Sequence, residues 1–218
     1  MLRMLSPQPH LRLFATRCCF VPTHTSGTCV PSAADSLTPV HPPPPTTTDG
    51  DDVCPGGKTL DCVPTIAAAI AAANTGGTTT NATGVSMTGS STDPATMAKA
   101  LAVAKAADVV VLALGIDKSV EHEGVDRSDI TLPGMQAAFA KAVYKLGKPV
   151  VLVLTNGGPL AIDDLVDGAG AIVEAFNPAF GAPMLAATLF GAENRWGKLP
   201  YTIYPAVYVC LVILVLVL

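Results

Sequence analysis

The fold is decided by the stretch ADVVVLALG at positions 107–115. Its apolar residues 109–114 have the length of a strand and no polar alternation, which is typical of a parallel strand covered on both faces. Two more runs of this kind follow, PVVLVL at 149–154 and AIVEAF at 171–176. Together they predict a buried parallel sheet.

Segments typical of helices lie around these strands. An Ala-rich helix is predicted over about 63–73, followed by a Gly/Thr-rich loop or irregular strand at 76–80. Asp93 and Pro94 predict the start of a helix that ends at Asp108. Helices over 133–146 and 181–190, ended by Gly147 and Gly191, and a last strand over 198–204 are also predicted. This order predicts an α/β fold, a three-layer sandwich with a mainly parallel sheet of the flavodoxin-like or (α/β)6 type.

The chain divides into three zones. Residues 1–50 are rich in Pro and Thr with little hydrophobic periodicity, so we expect a disordered leader; basic residues and prolines interrupt 1–20, and no signal peptide is predicted. Residues 51–205 form the expected domain. Residues 206–218 are an apolar tail, shorter than the roughly 20 residues that span a bilayer. A buried strand, a weak anchor and an aberrant end of the reading frame are open for this tail, and we favour the last.

Composition narrows the possible partners. Only 14% of the residues are charged, the net charge is -4, and no basic stripe occurs, which argues against nucleic acid, since phosphate binding needs clustered Lys and Arg. The cysteines show no zinc-site spacing, so neither a metal nor a cofactor is expected. Cys54 and Cys62 either form a disulfide or stay as free thiols. Asn81 begins a glycosylation sequon, which matters only if the chain is secreted.

The most informative feature is the loop GIDKSVEHEGVDR at 115–127, which is rich in charge and directly follows a buried strand. Ligand groups gather at such loops in α/β sheets. Glu121 and Glu123 are two apart, so they point the same way in an extended segment, and a partly desolvated carboxyl group can donate a proton. Asp126 and Arg127 are expected to brace the loop through an ion pair. The alternative is a solvated surface loop with His122 as a hydrogen-bonded loop residue.

A second loop, TNGGP at 155–159, follows the next strand. Its glycines, Gly157 and Gly158, let the backbone approach another chain or a ligand. A phosphate cradle is excluded, because neither the GxxxxGKS/T pattern nor GxGxxG occurs here. A tight turn in which Asn156 bonds its own backbone is the favoured interpretation.

Taken in order, several motifs resemble the C-terminal α/β domain of family 3 glycoside hydrolases, the β-xylosidase and β-glucosidase group. They are ADVVVLALG at 107–115, EHEGVDR at 121–127, LPG at 132–134, GKPVVLVL at 147–154, NGG at 156–158 and LFGAENRWGKLP at 189–200. The similarity covers about 51–205, and the EHEGVDR segment is most similar to the β-xylosidase side.

This resemblance implies a retaining, exo-acting β-glycosidase that hydrolyses a β-linked oligosaccharide or an aryl glycoside. Members of the family use an aspartate nucleophile on a (β/α)8 barrel and a glutamate acid/base on the α/β domain. Carried over, Glu121 is the first candidate for the acid/base and Glu123 the second. From their places in the two loops, we also expect four substrate-loop residues, His122, Asn156, Gly157 and Gly158. Asp126 and Arg127 are the expected supporting residues.

The barrel is the part of the resemblance that the chain does not match. A barrel needs about 250 residues, which the first 50 residues cannot supply, so the nucleophile is expected to be missing and the chain alone to have negligible activity. The family suggests an extracellular or secretory location, and a membrane is not an expected partner. Two other classes stay open: a non-catalytic carbohydrate-binding or interaction domain with this fold, and a flavodoxin-like nucleotide binder.

Overall fold

The computed structural model describes residues 17–21, 54, 62–89 and 93–208, and for 17–21 it describes the backbone alone. The described strands form one parallel sheet in the order β2-β1-β3-β4-β5. In chain order the elements are β1 (Arg17–Val21), α1 (Ile66–Ala73), β2 (Thr78–Asn81), α2 (Pro94–Ala106), β3 (Val109–Gly115), α3 (Gln136–Tyr144), β4 (Val150–Thr155), β5 (Ala171–Glu174) and α4 (Ala182–Leu189).

The sheet is covered on both faces, because successive side chains of a strand point to opposite sides. Leu112 and Leu114 of β3 share a buried cluster with residues of α2 and α3. Val111 and Ala113 of the same strand share a second buried cluster with residues of α1 and α4. The α/β class, the parallel sheet and the three layers are confirmed.

Helix ends follow from local chemistry. The Asp93 carboxylate accepts hydrogen bonds from the N–H groups of Ala95 and Thr96, and Pro94 opens α2, as predicted. Helix α3 begins at Gln136, three residues later than the predicted start at 133. The reason is Gly134, whose φ of +64° is incompatible with a helix.

The described strands differ from the sequence predictions at two places. Residues 198–204 carry no strand; Pro200 has no N–H to donate to a neighbouring strand, and the segment is mostly exposed. Conversely, β1 lies inside 1–50, which was predicted to be disordered. Its sequence RCCFV is too short to show periodicity, and it is paired by β2 on one side and β3 on the other. The rest of 1–50 lies outside the described residues.

The structure also describes the start of the apolar tail and the state of two cysteines. Residues 206–208 form a helical turn, so this part of the apolar tail is not a strand, and 209–218 lie outside the described residues. Among the helices that the structure describes, each is too short or too polar to span a bilayer. Cys54 and Cys62 form a disulfide, which decides between the two states that the sequence left open.

Candidate active site

Loops that follow β3, β4 and β5 lie along one edge of the sheet, because these strands are adjacent and parallel. The first two loops start side by side, since Gly115 and Thr155 are partners in the β3–β4 register. A Cβ atom on Gly115 would lie 1.8 Å from the Thr155 carbonyl oxygen. Only glycine lets the backbone at position 115 lie this close to Thr155, so the sheet fixes the position at which the acidic loop begins.

Gln136, on helix α3, also fixes Gly115 through hydrogen bonds. It is fully buried at the start of α3. Its Oε1 accepts from the Gly115 N–H at 2.8 Å, and its Nε2 donates to the Gly115 carbonyl at 2.8 Å and to the Met87 carbonyl at 3.1 Å. Sequence reasoning missed this residue, although a glutamine on the otherwise apolar face of α3 was an available signal.

The acidic loop folds back on itself rather than running extended. His122 and Val125 exchange two backbone hydrogen bonds, at 3.2 and 2.9 Å. Glu123 and Gly124 are therefore the central residues of a tight turn, and Gly124 has a φ of +80°, the value that a type II turn requires of its third residue. The expectation that Glu121 and Glu123 point the same way depended on an extended segment, which this loop does not contain. Glu123 and His122 are exposed.

Glu121 is held by an ion pair. The Arg127 Nε donates to Glu121 Oε2 at 2.5 Å, and the Arg127 Nη2 donates to the Pro159 carbonyl at 2.8 Å. The Arg127 side chain is only 7% exposed and that of Glu121 is 30% exposed. The Glu121 carboxyl group also covers Gly158, where an added Cβ would lie 2.4 Å from Oε1. These contacts join the loop after β3 to the loop after β4.

The predicted ion pair between Asp126 and Arg127 is wrong. Arg127 pairs with Glu121 instead, and Asp126 is exposed. Neighbouring side chains along a non-helical backbone point in different directions, so Arg127 can enter the protein only by turning away from Asp126. Arg127 does brace the loop, but through a different partner.

The loop after β4 is a tight turn, as the favoured interpretation stated. Asn156 is fully buried, and its Nδ2 donates to the Gly158 carbonyl at 2.9 Å. Its side chain therefore shapes the turn and is closed to a ligand in this structure. Gly157 is exposed and Gly158 is half-buried beneath Glu121.

Glu174, the last residue of β5, is a second carboxyl group at this edge that sequence reasoning passed over. Both of its carboxyl oxygens are shielded from solvent. Burial raises the pKa of Glu174, and contacts from the Phe176 backbone and the Asn156 side chain, which fall short of hydrogen-bond geometry, only partly oppose this. Tyr201 lies nearby, and burial, then the charge of Glu174, raise its pKa. A charged residue at the end of a strand that is otherwise apolar was the signal.

A cleft of about 320 Å³ opens beside Glu174, between β5, α4 and residues 195–197. Met184, Arg195 and Trp196 contribute to its wall, and the Trp196 side chain is largely exposed. Within the described part of the chain no group of three or more His, Cys, Asp or Glu side chains is arranged to hold a metal ion.

Curated proteins with similar sequences are glycosidases. A probable β-D-xylosidase 7 from Arabidopsis thaliana is 41% identical over 115 residues, which are 51% of this chain and 15% of that protein. A periplasmic β-glucosidase from Salmonella typhimurium is 43% identical over 103 residues, or 47% of this chain and 14% of that protein. The chain therefore spans about 15% of the length of these relatives.

Solved structures show the same relationship. A GH3 exo-β-xylosidase in complex with a xylobiose aziridine probe aligns with a TM-score of 0.61 and 31% identity, over 66% of this chain and 19% of that one. A GH3 β-glucosidase from Bifidobacterium adolescentis aligns with a TM-score of 0.56 and 25% identity, over 84% of this chain and 23% of that one. The family described as glycosyl hydrolase family 3 C-terminal domain matches residues 32–210. Because that match covers most of the chain, the protein belongs to this family, as its motifs predicted.

Proposed function

We propose that this chain supplies the acid/base loop of a retaining, exo-acting β-glycosidase that acts on β-xylosides or β-glucosides. In this family the C-terminal domain works beside a catalytic barrel that acts on β-glycosides. The observation that carries the proposal is the exposed turn at Glu123, which stands on a loop that Glu121 and Arg127 tie to its neighbour.

Glu123 fits the acid/base role better than Glu121, which the sequence ranked first. An acid/base must give a proton to the glycosidic oxygen and later take one from water, so its carboxyl group must be reachable. Glu123 is exposed and makes no hydrogen bond or ion pair to another described residue. Glu121 is engaged by Arg127 and packed on Gly158. We therefore assign Glu121 a supporting role.

The chemistry proceeds in two steps. In the first step Glu123 protonates the leaving oxygen while an aspartate of the barrel attacks the anomeric carbon, and the aglycone departs from a covalent glycosyl-enzyme. In the second step Glu123, now a carboxylate, takes a proton from the water that attacks this intermediate, and the sugar leaves with its configuration retained. The two carboxyl groups must lie about 5–5.5 Å apart, which requires the turn at 122–125 to be held firmly.

The remaining loop residues give that support. The ion pair between Glu121 and Arg127, and the bond from Arg127 to the Pro159 carbonyl, fix the base of the turn against the loop after β4. Asn156 fixes that second loop from within. His122 lies exposed beside Glu123, and we assign it a contact with the bound sugar.

A hybrid enzyme tests the proposal. Residues 32–210 replace the matching domain of a GH3 β-xylosidase, and hydrolysis of nitrophenyl β-xyloside is measured for the hybrid and for the isolated chain. We expect turnover by the hybrid and none by the isolated chain, because a proton donor without a nucleophile lacks the covalent route. Glu123→Gln should lower kcat of the hybrid by about 10²–10⁴-fold, whereas the control Asp167→Asn, at an exposed position outside this loop, should leave it unchanged.

Two results would contradict the proposal. Hydrolysis by the isolated chain would mean that a nucleophile lies within these residues. A folded hybrid that binds xyloside without hydrolysing it would favour the alternative, a carbohydrate-binding or interaction domain that has kept the fold without the chemistry.

A further inference from the structure

Asn81 is the last residue of β2, the strand at one end of the sheet. It begins Asn81-Ala82-Thr83, which has the Asn-x-Ser/Thr pattern of an N-glycosylation acceptor. The other asparagines of the chain lack Ser or Thr two positions later; they are Asn74, Asn156, Asn177 and Asn194. The sequence therefore offers a single acceptor.

The fold presents this acceptor to solvent. Asn81 is exposed, and its side chain makes no hydrogen bond to another described residue. The chain enters the core immediately afterwards, where Ala82 and Val85 are buried. Among the described strands β2 pairs with β1 alone, so no described strand pairs with its outer edge. An oligosaccharide on Asn81 thus displaces no packed side chain of the described residues.

The disulfide between Cys54 and Cys62 is an independent observation that points to the same environment. Disulfides form and persist in oxidising compartments, among them the lumen of the endoplasmic reticulum. N-linked oligosaccharides are added in that lumen, so a chain that acquires this disulfide there also meets the glycosylation machinery.

We infer that Asn81 carries an N-linked oligosaccharide. In the transfer, Nδ2 of Asn81 bonds to the anomeric carbon of an oligosaccharide held on a lipid pyrophosphate. The bond from that carbon to the pyrophosphate oxygen breaks, and one amide proton is lost. Nothing is oxidised or reduced. This inference does not depend on the proposed glycosidase function.

The position suits a protective glycan. An open strand edge can pair with another chain, and natural proteins cover such edges. A glycan at Asn81 covers the end of β2. Because β1 lies between β2 and β3, the attachment point is about 10 Å from the strand that leads into the acidic loop, with strands spaced at ~4.8 Å.

The test uses the whole 218-residue chain with a cleavable secretory signal, translated with microsomes that glycosylate a reference protein in the same reaction. We expect one glycan on the wild-type chain, seen as a single mobility shift. Peptide N-glycosidase should reverse the shift and convert residue 81 from Asn to Asp, which peptide mass spectrometry detects. Asn81→Gln and Thr83→Ala should abolish the shift.

Two matched controls complete the design. Thr83→Ser preserves the sequon and should keep the shift, and Asn194→Gln changes an exposed asparagine outside any sequon and should not alter it. Gels run under denaturing conditions read the modification whether or not a variant folds. A wild-type chain that stays unmodified while the reference protein is glycosylated would overturn the inference, as would a shift that survives Asn81→Gln.

Discussion

Gln136 offers the sharpest prediction about what holds the acidic loop in place. Leucine at this position removes three hydrogen bonds and leaves their backbone partners, the Gly115 N–H and the carbonyls of Gly115 and Met87, without them. A buried group left unpaired costs about 1–3 kcal/mol. We expect Gln136→Leu to lower the free energy of unfolding by about 3–5 kcal/mol, a large share of the ~5–15 kcal/mol that stabilises a domain.

Urea unfolding measures this loss as a lower midpoint with an unchanged slope, and hydrogen exchange should show loss of protection at the Gly115 amide. Gln136→Met keeps an unbranched side chain of similar length, so a comparable loss in this variant separates the hydrogen bonds from packing. Ala138→Leu introduces leucine at an exposed position of the same helix and should change stability by less than about 0.5 kcal/mol. If Gln136→Leu and Gln136→Met both stayed within about 1 kcal/mol of wild type, with Gly115 still protected, the reasoning would be refuted.

Two further predictions concern the ends of the strands. Gly115→Ala should lower the free energy of unfolding by at least about 2 kcal/mol, because the added Cβ would collide with the Thr155 carbonyl oxygen. Gly76→Ala has nothing within 4 Å of the added Cβ and should be nearly neutral in the same unfolding assay. Equal effects of the two substitutions would contradict the predicted clash. The folded-state pKa of Glu174 lies above the ordinary value of 4.5. The folded protein therefore loses stability relative to the unfolded chain as the pH rises from 4.5 through the folded-state pKa of this group. Glu174→Gln stays neutral, so the urea midpoint of this variant should fall less across that pH interval than the wild-type midpoint does, whereas Glu193→Gln should not change the fall. If the midpoint of Glu174→Gln fell with pH as steeply as that of the wild type, the Glu174 carboxyl group would not be the cause.

The sheet was predictable because its central strands are buried on both faces. An apolar run such as 109–114 has few other stable environments, and the βαβ order then restricts the topology. Strand β1 escaped prediction because five residues carry too little periodicity, and only the neighbouring strands β2 and β3 give them partners. The segment 198–204 failed in the opposite way, since its alternating apolar residues resemble a strand although Pro200 weakens the ladder.

The location of the candidate site was predictable from the sequence, but the arrangement of its side chains was not. Charge concentrated after a buried strand located the loop, whereas the partner of Arg127 depended on a turn that the sequence pattern did not specify. Because of that turn, Glu121 forms an ion pair with Arg127 whereas Glu123 is exposed. Side-chain pairing across loops depends on tertiary geometry, which spacing along the chain does not give.

The central claim, that Glu123 gives the proton and Glu121 supports the loop, is tested most directly by leaving-group dependence in the hybrid enzyme. The rate of glycosyl-enzyme formation is measured on aryl β-xylosides with good and poor leaving groups, for Glu123→Gln and Glu121→Gln. A missing proton donor matters most when the leaving group is poor, so Glu123→Gln should lose far more rate on the poor leaving group than on the good one. Glu121→Gln should lose rate about equally on both. The reverse pattern, with the steep dependence in Glu121→Gln, would contradict this assignment.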